Sequence, residues 1–109
     1  MKLPLEIHFR DMVPLPSLEP EIRRRAAKLE QWGTELMSCQ VTVDASANRR
    51  RQGHEYQVHI DVRVPGDQVV INQHHRGDDA QLAVRGAFDA MDRLLRERIE
   101  RRREPMPPD

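Results

Sequence analysis

An α+β fold follows from the way hydrophobic spacing changes along the chain. The order reads β-α-β-β-β-α and predicts a four-stranded sheet with two helices packed side by side on one face. Apolar residues alternate over 3–9, 37–45 and 56–64, the period of strands with one wet face. They recur every three or four residues from Leu18 and again from Ala80, the period of helices with one buried stripe. Two such helices and one such sheet have a single economical arrangement, with both helices on the same face.

In the first strand Leu3, Leu5, Ile7 and Phe9 oppose Pro4, Glu6 and His8, and Pro4 suits a strand start or an edge. Prolines in DMVPLPSLEP end the alternation, and Ser17 stands where a helix N-cap is expected. Leu18, Ile22, Ala26, Leu29 and Trp32 form the stripe of the first helix, which ends near Gly33. Met37, Cys39, Val41, Val43 and Ala45 point inward from the second strand, and Tyr56, Val58, Ile60, Val62 and Val64 from the third. Between them SANRRRQGH reads as a long polar hairpin loop. After the Pro65-Gly66-Asp67 turn, DQVVIN supplies the fourth strand, so the last three strands form an antiparallel meander. The last helix runs from about Asp79 to Arg103, with Ala80, Val84, Ala87, Phe88, Met91, Leu94 and Leu95 inward and Asp78 or Asp79 at its positive end. Its stripe stops at Leu95 or Ile99 while RERIERRRE continues, so the helix is expected to project past the sheet.

A length of 109 residues fits one domain, residues 1–104, followed by a short disordered tail at 105–109. Cys39 is the only cysteine, which excludes an internal disulfide and fits a reducing compartment, the cytoplasm. The charged N-terminus lacks the apolar segment of a secretory signal, and no run is long enough for a bilayer span. Nothing points to catalysis. His8, His54, His59, His74 and His75 show no metal-ligand spacing, and neighbouring His74 and His75 on a strand face opposite ways. Cys39 lies on the inward phase of its strand, as a small buried hydrophobe does. With no nucleophile elbow or glycine-rich phosphate loop, no enzyme activity, metal or cofactor is expected.

Charge placement is more informative than the net charge, which is zero from 18 Lys and Arg against 18 Asp and Glu. Arg23, Arg24, Arg25 and Lys28 crowd the first helix, Arg49, Arg50 and Arg51 sit together in the loop, and Arg93, Arg96, Arg98, Arg101, Arg102 and Arg103 fill the end of the last helix. Within that helix Asp89 and Arg93, Asp92 and Arg96, and Glu97 and Arg101 are spaced for i, i+4 ion pairs, leaving Arg85, Arg98, Arg102 and Arg103 in surplus. Side-by-side helices would gather these residues into a basic surface, with the acidic residues elsewhere. Such a surface binds nucleic acid through phosphates with little base reading. Scarce aromatic residues outside the core argue against a single-strand reader that stacks bases.

Four segments carry a resemblance: I-x-F-R-D-M at 7–12, E-I-R-x-R-A-A-K-L-E at 21–30, V-P-G-D-Q-V-V-I-N at 64–72 and A-V-R-G-A-F-D-A-M at 83–91. In these motifs and in element order the chain resembles the ribosome hibernation factors. These are the hibernation promoting factor (HPF) and RaiA (protein Y) proteins, also called the sigma-54 modulation or S30AE family. The resemblance implies a fold like that of double-stranded-RNA-binding domains and association with the small ribosomal subunit through 16S rRNA. It implies steric inhibition of translation, because mRNA and tRNA cannot enter the occupied decoding channel and idle ribosomes are stored during stress. It further implies rRNA contacts from Arg23, Arg24, Lys28, Arg85, Arg93 and Arg96 on the helices and from Arg10 after the first strand. Arg49, Arg50, Arg51, Arg101 and Arg103 join this set on charge alone. The chain ends at Asp109 without the extra C-terminal domain of long family members, so by itself it is not expected to pair ribosomes. Two other functions fit the same residues: a general binder of duplex RNA, and a protein-interaction module that modulates transcription.

Overall fold

The computed structural model describes residues 3–33, 35–46 and 55–103, with the backbone alone at 102 and 103. Strand β1 (Leu5–Arg10) is followed by helix α1 (Leu18–Lys28), which tightens into a 3-10 turn over Leu29–Trp32. Strands β2 (Ser38–Asp44), β3 (Glu55–Val64) and β4 (Asp67–Arg76) come next, and helix α2 (Ala80–Arg103) ends the fold. The sheet order is β1-β2-β3-β4. The expected meander is present, because β3 pairs antiparallel with both β2 and β4. Strand β1 lies parallel to β2, with Ile7 opposite Val41, since α1 carries the chain back before β2 begins.

Each boundary has a local cause. Asp11 takes the left-handed conformation at φ 57°, which a short polar residue tolerates, and ends β1. Ser17 occupies the N-cap position of α1, yet its side chain makes no capping hydrogen bond. The β3–β4 hairpin turns through Pro65 and Gly66, and Gly66 supplies the φ of 72° that a residue with a Cβ rarely adopts. Strand β4 continues past Asn72 to Arg76, four residues beyond the DQVVIN segment, and stays in register with β3 back to Glu55. At the start of α2, Asp79 Oδ1 accepts hydrogen bonds from the backbone N–H groups of Gln81 (2.9 Å) and Leu82 (3.2 Å), a side-chain N-cap.

Both helices pack on one face of the sheet, α1 at the β1 end and α2 over β3 and β4. Cys39, Val41 and Val43 of β2 and Val58, Ile60, Val62 and Val64 of β3 are buried beneath them. Leu18, Ile22, Ala26 and Leu29 descend from α1 and its turn, and Ala83, Val84, Ala87, Phe88, Met91 and Leu95 from α2. One inward assignment fails: Met37 is 56% exposed, because β2 begins only at Ser38 and Met37 lies in the approach to the sheet. Among the described residues no helix is long and apolar enough to cross a membrane.

Candidate nucleic-acid interface

Two polar contacts set how the helices face each other. Trp32 Nε1 donates to Asp92 Oδ1, which also accepts from Gln31 Nε2 at 3.3 Å. Farther along, Arg98 pairs with Glu35 at 3.2 Å. Helix α1 returns the chain between parallel β1 and β2, and α2 returns it over β4, which runs the same way as β1, so α1 and α2 run in the same direction side by side. An indole N–H in a half-buried position needs an acceptor, and Asp92 satisfies it. This overturns the expected Asp92–Arg96 ion pair. Nor do Asp89 with Arg93 or Glu97 with Arg101 form an ion pair. Arg98, expected in surplus, is engaged by Glu35.

Helical phase then locates the basic residues. Arg24 and Lys28 are four residues apart on α1, and Gln31 follows Lys28 by three across the 3-10 turn, so Arg24 and Lys28 share the side from which Gln31 reaches Asp92 of α2. On α2, Arg85 and Arg96 lie within about 40° of Asp92 around the helix axis, on the side turned toward α1. Arg24, Lys28, Arg85 and Arg96 are all exposed and border the seam, while exposed Arg93 lies on the outer crest of α2. Arg25 is different. Its Nε donates to Glu21 Oε1 at 2.7 Å and it is half-buried, so it serves the helix more than a ligand. Arg24 also contacts Glu21, whose carboxyl is held below the ordinary range first by the Arg25 hydrogen bond and then by the charges of Arg25 and Arg24.

Three candidates are not gathered here. Arg23 is seven residues from Glu30 and so shares its side of the helix; Glu30 receives the backbone N–H of Leu3, which turns that side toward the β1 edge. Arg101 lies about 180° from Asp92 around α2 and lines a groove at the β4 edge. Arg10 belongs to the exposed phase of β1 with Glu6 and His8, on the sheet face opposite the helices. Arg49, Arg50 and Arg51 lie outside the described residues, as does the side chain of Arg103.

The seam therefore unites Arg24, Lys28, Arg85 and Arg96, with Arg93 beside them. Segments 18–32 and 80–103 together hold eleven Lys and Arg against seven Asp and Glu, so the balancing excess of acid lies outside the helices. Opposite signs on two layers give a neutral molecule one cationic side, which attracts a polyanion despite zero net charge. On the open sheet face Glu6 accepts from Gln40 at 2.9 Å, and His74 faces Glu55 at 3.1 Å. Among the described residues no cluster of His, Cys, Asp and Glu could hold a metal ion. Burial, with the Asp61 carboxylate adding to it, pushes the Cys39 thiol up to about 12. Thiol-directed alkylation of the native protein near neutral pH should therefore be negligible and become rapid on denaturation, as mass spectrometry can follow.

Comparisons with known proteins agree with this architecture. The structure is similar to the crystal structure of the Thermus thermophilus Protein Y N-terminal domain, with a TM-score of 0.69 at 16% identity, covering 89% of this chain and 98% of that one. It is also similar to a ribosomal subunit interface protein from Coxiella burnetii, with a TM-score of 0.64 at 14% identity, covering 87% and 96%. No curated protein matches the sequence. At these identities the structural likeness establishes the fold, a four-stranded sheet with two helices. The family model described as sigma 54 modulation protein / S30EA ribosomal protein matches residues 5–103, and the chain belongs to that family.

Proposed function

We propose that this protein is a ribosome-associated translation inhibitor that sets its helical layer against 16S rRNA of the small subunit. One observation carries the reading: exposed Arg24, Lys28, Arg85 and Arg96 converge along a single seam between parallel helices. A row of guanidinium and ammonium groups on two helices suits the phosphates of folded RNA, since arginine pairs with them bidentately and needs no base reading. Membership of a family described by a ribosomal protein supports the choice of RNA, and the similar protein from Coxiella burnetii is a ribosomal subunit interface protein.

Inhibition in this reading is steric. A folded domain seated on rRNA where mRNA and tRNA travel excludes both without a reaction, a cofactor or a metal, and it acts in the cytoplasm, where ribosomes are. Residues 1–104 act as one binding unit. The sheet face opposite the helices points away from the rRNA, so Arg10 is the weakest member of the contact set.

Co-sedimentation with small subunits, large subunits and whole ribosomes, in a salt series and with free duplex RNA as competitor, tests this. Small subunits should be preferred. Five phosphate contacts predict that affinity falls by about 10²- to 10³-fold between 50 and 200 mM salt. Equal competition by free duplex would make the protein a general duplex binder. Failure to sediment with any particle at low salt would leave the protein-interaction reading.

A further inference from the structure

The two edges of the sheet are unequally guarded. Strand β1 is six residues long, Pro4 precedes it, and the backbone N–H of Leu3 is taken by Glu30. Strand β4 is ten residues long and, among the described residues, pairs only with β3. It contains no proline or lysine, and its register with β3 is continuous from Asp67 to Arg76, with no bulge. Such devices are the usual means by which an edge strand is kept from pairing, and β4 has none of them.

Burial shows the same opening. The inward residues of β3 are buried, whereas Val69 and Ile71 of β4 are only half-buried and Val70, on the open face, is 39% exposed. Beside this edge runs a groove lined by Pro65, Asp67, Val69, Val70, Leu94 and Arg101. Partly exposed apolar side chains, interspersed with Gln68, Arg98 and other polar groups, and a row of outward backbone groups lie together there.

Charge along β4 says what fits. Asp67 stands at its start, and His74, His75 and Arg76 at its end. We propose that the β4 edge pairs antiparallel with β4 of a second copy of this chain, joining two sheets into one of eight strands. Directly opposed residues in an antiparallel pair lie on the same sheet face, so the register is restricted to steps of two. Placing Ile71 against its own copy sets Val69 opposite Gln73 and Asp67 opposite His75 on the helical face, while Arg76 projects from the open face one residue beyond. The carboxylate at the start of each strand thus meets the imidazole near the end of the other, twice. Under this two-fold axis the helical layers of both copies stay on the same side of the joined sheet. One strand pair buries little surface, so association is weak, with a dissociation constant of about 0.1 mM.

Sedimentation velocity over a concentration series, with hydrogen exchange at low and high concentration, tests the pairing. The chain should pass from monomer to dimer, with β4 amides gaining protection only at high concentration. Val70→Lys sits at an exposed position and should weaken association by tenfold or more while the circular dichroism spectrum stays unchanged. His75→Asp should be monomeric alone, since it sets two carboxylates opposite each other at both ends, and should form a mixed dimer with Asp67→Lys, which sets opposite charges together at one of them. A chain that remains monomeric to about 1 mM would overturn the proposal. So would a dimer that protects amides elsewhere, or charge variants that fail to combine. Ribosome association is read separately, so neither result depends on the other.

Discussion

Changing Arg24, Lys28 and Arg85 together to Glu is expected to lower affinity for small ribosomal subunits by about 10³-fold or more near physiological salt, with little change in thermal stability. Each substitution removes a cation and installs an anion on the seam, so three phosphate contacts are lost and three repulsions gained. All three residues are exposed, and substitutions at such positions usually move stability by about 0.5 kcal/mol or less. The slope of log affinity against log salt should shrink by about three contacts, which separates lost phosphate pairing from general damage. Arg101→Glu is the matched control. It carries the same charge change on the same helix, but on the side turned to β4, and it should leave subunit binding within a few-fold of the parent. Equal losses in the two variants would remove the seam as the contact surface and leave only bulk charge.

The difference between those variants marks the limit of what the sequence could tell. Element order, the single helical face and the inward residues of β2 and β3 follow from period alone, since alternation of two and recurrence of three to four have few packings. Arg24, Lys28, Arg85 and Arg96 enter as candidates through the family resemblance, and the structure brings them to one seam. Spacing within one helix could not show how that helix is turned toward its neighbour. Asp92 reads as a partner for Arg96 at i+4, yet it belongs to Trp32, sixty residues earlier. A tryptophan in an apolar stripe, whose N–H must find an acceptor, was the available signal. Arg23 and Arg10, implied by the resemblance, and Arg101, a candidate on charge alone, fall away from the seam for the same reason: charge is visible in a sequence, whereas direction depends on a partner element. The parallel pairing of β1 with β2 likewise becomes visible only once α1 is seen to return the chain.

Replacing Ile60 by Ala should destabilise the protein by about 3 to 4 kcal/mol. For a domain of this size that lowers the midpoint of thermal unfolding by about 15 to 25 °C in a calorimetric scan. Ile60 is fully buried at the middle of β3, opposite Val41 of β2 and Ile71 of β4, and it faces the helical layer. Its neighbours Val58 and Val62 are β-branched and held in the pleat, so they cannot swing in to fill the space, and the cavity persists. Leu82→Ala removes a similar side chain from α2 at a site 48% exposed and should cost less than about 1 kcal/mol. In the cool, where the Ile60 variant stays folded, its seam is intact and its ribosome affinity should lie close to that of the parent. The charge-reversed variant should show the opposite pair of results, an unchanged midpoint and lost affinity. Only a protein whose binding face lies on the outside of the helices, with its stability in the layer beneath them, can separate the two properties in both directions.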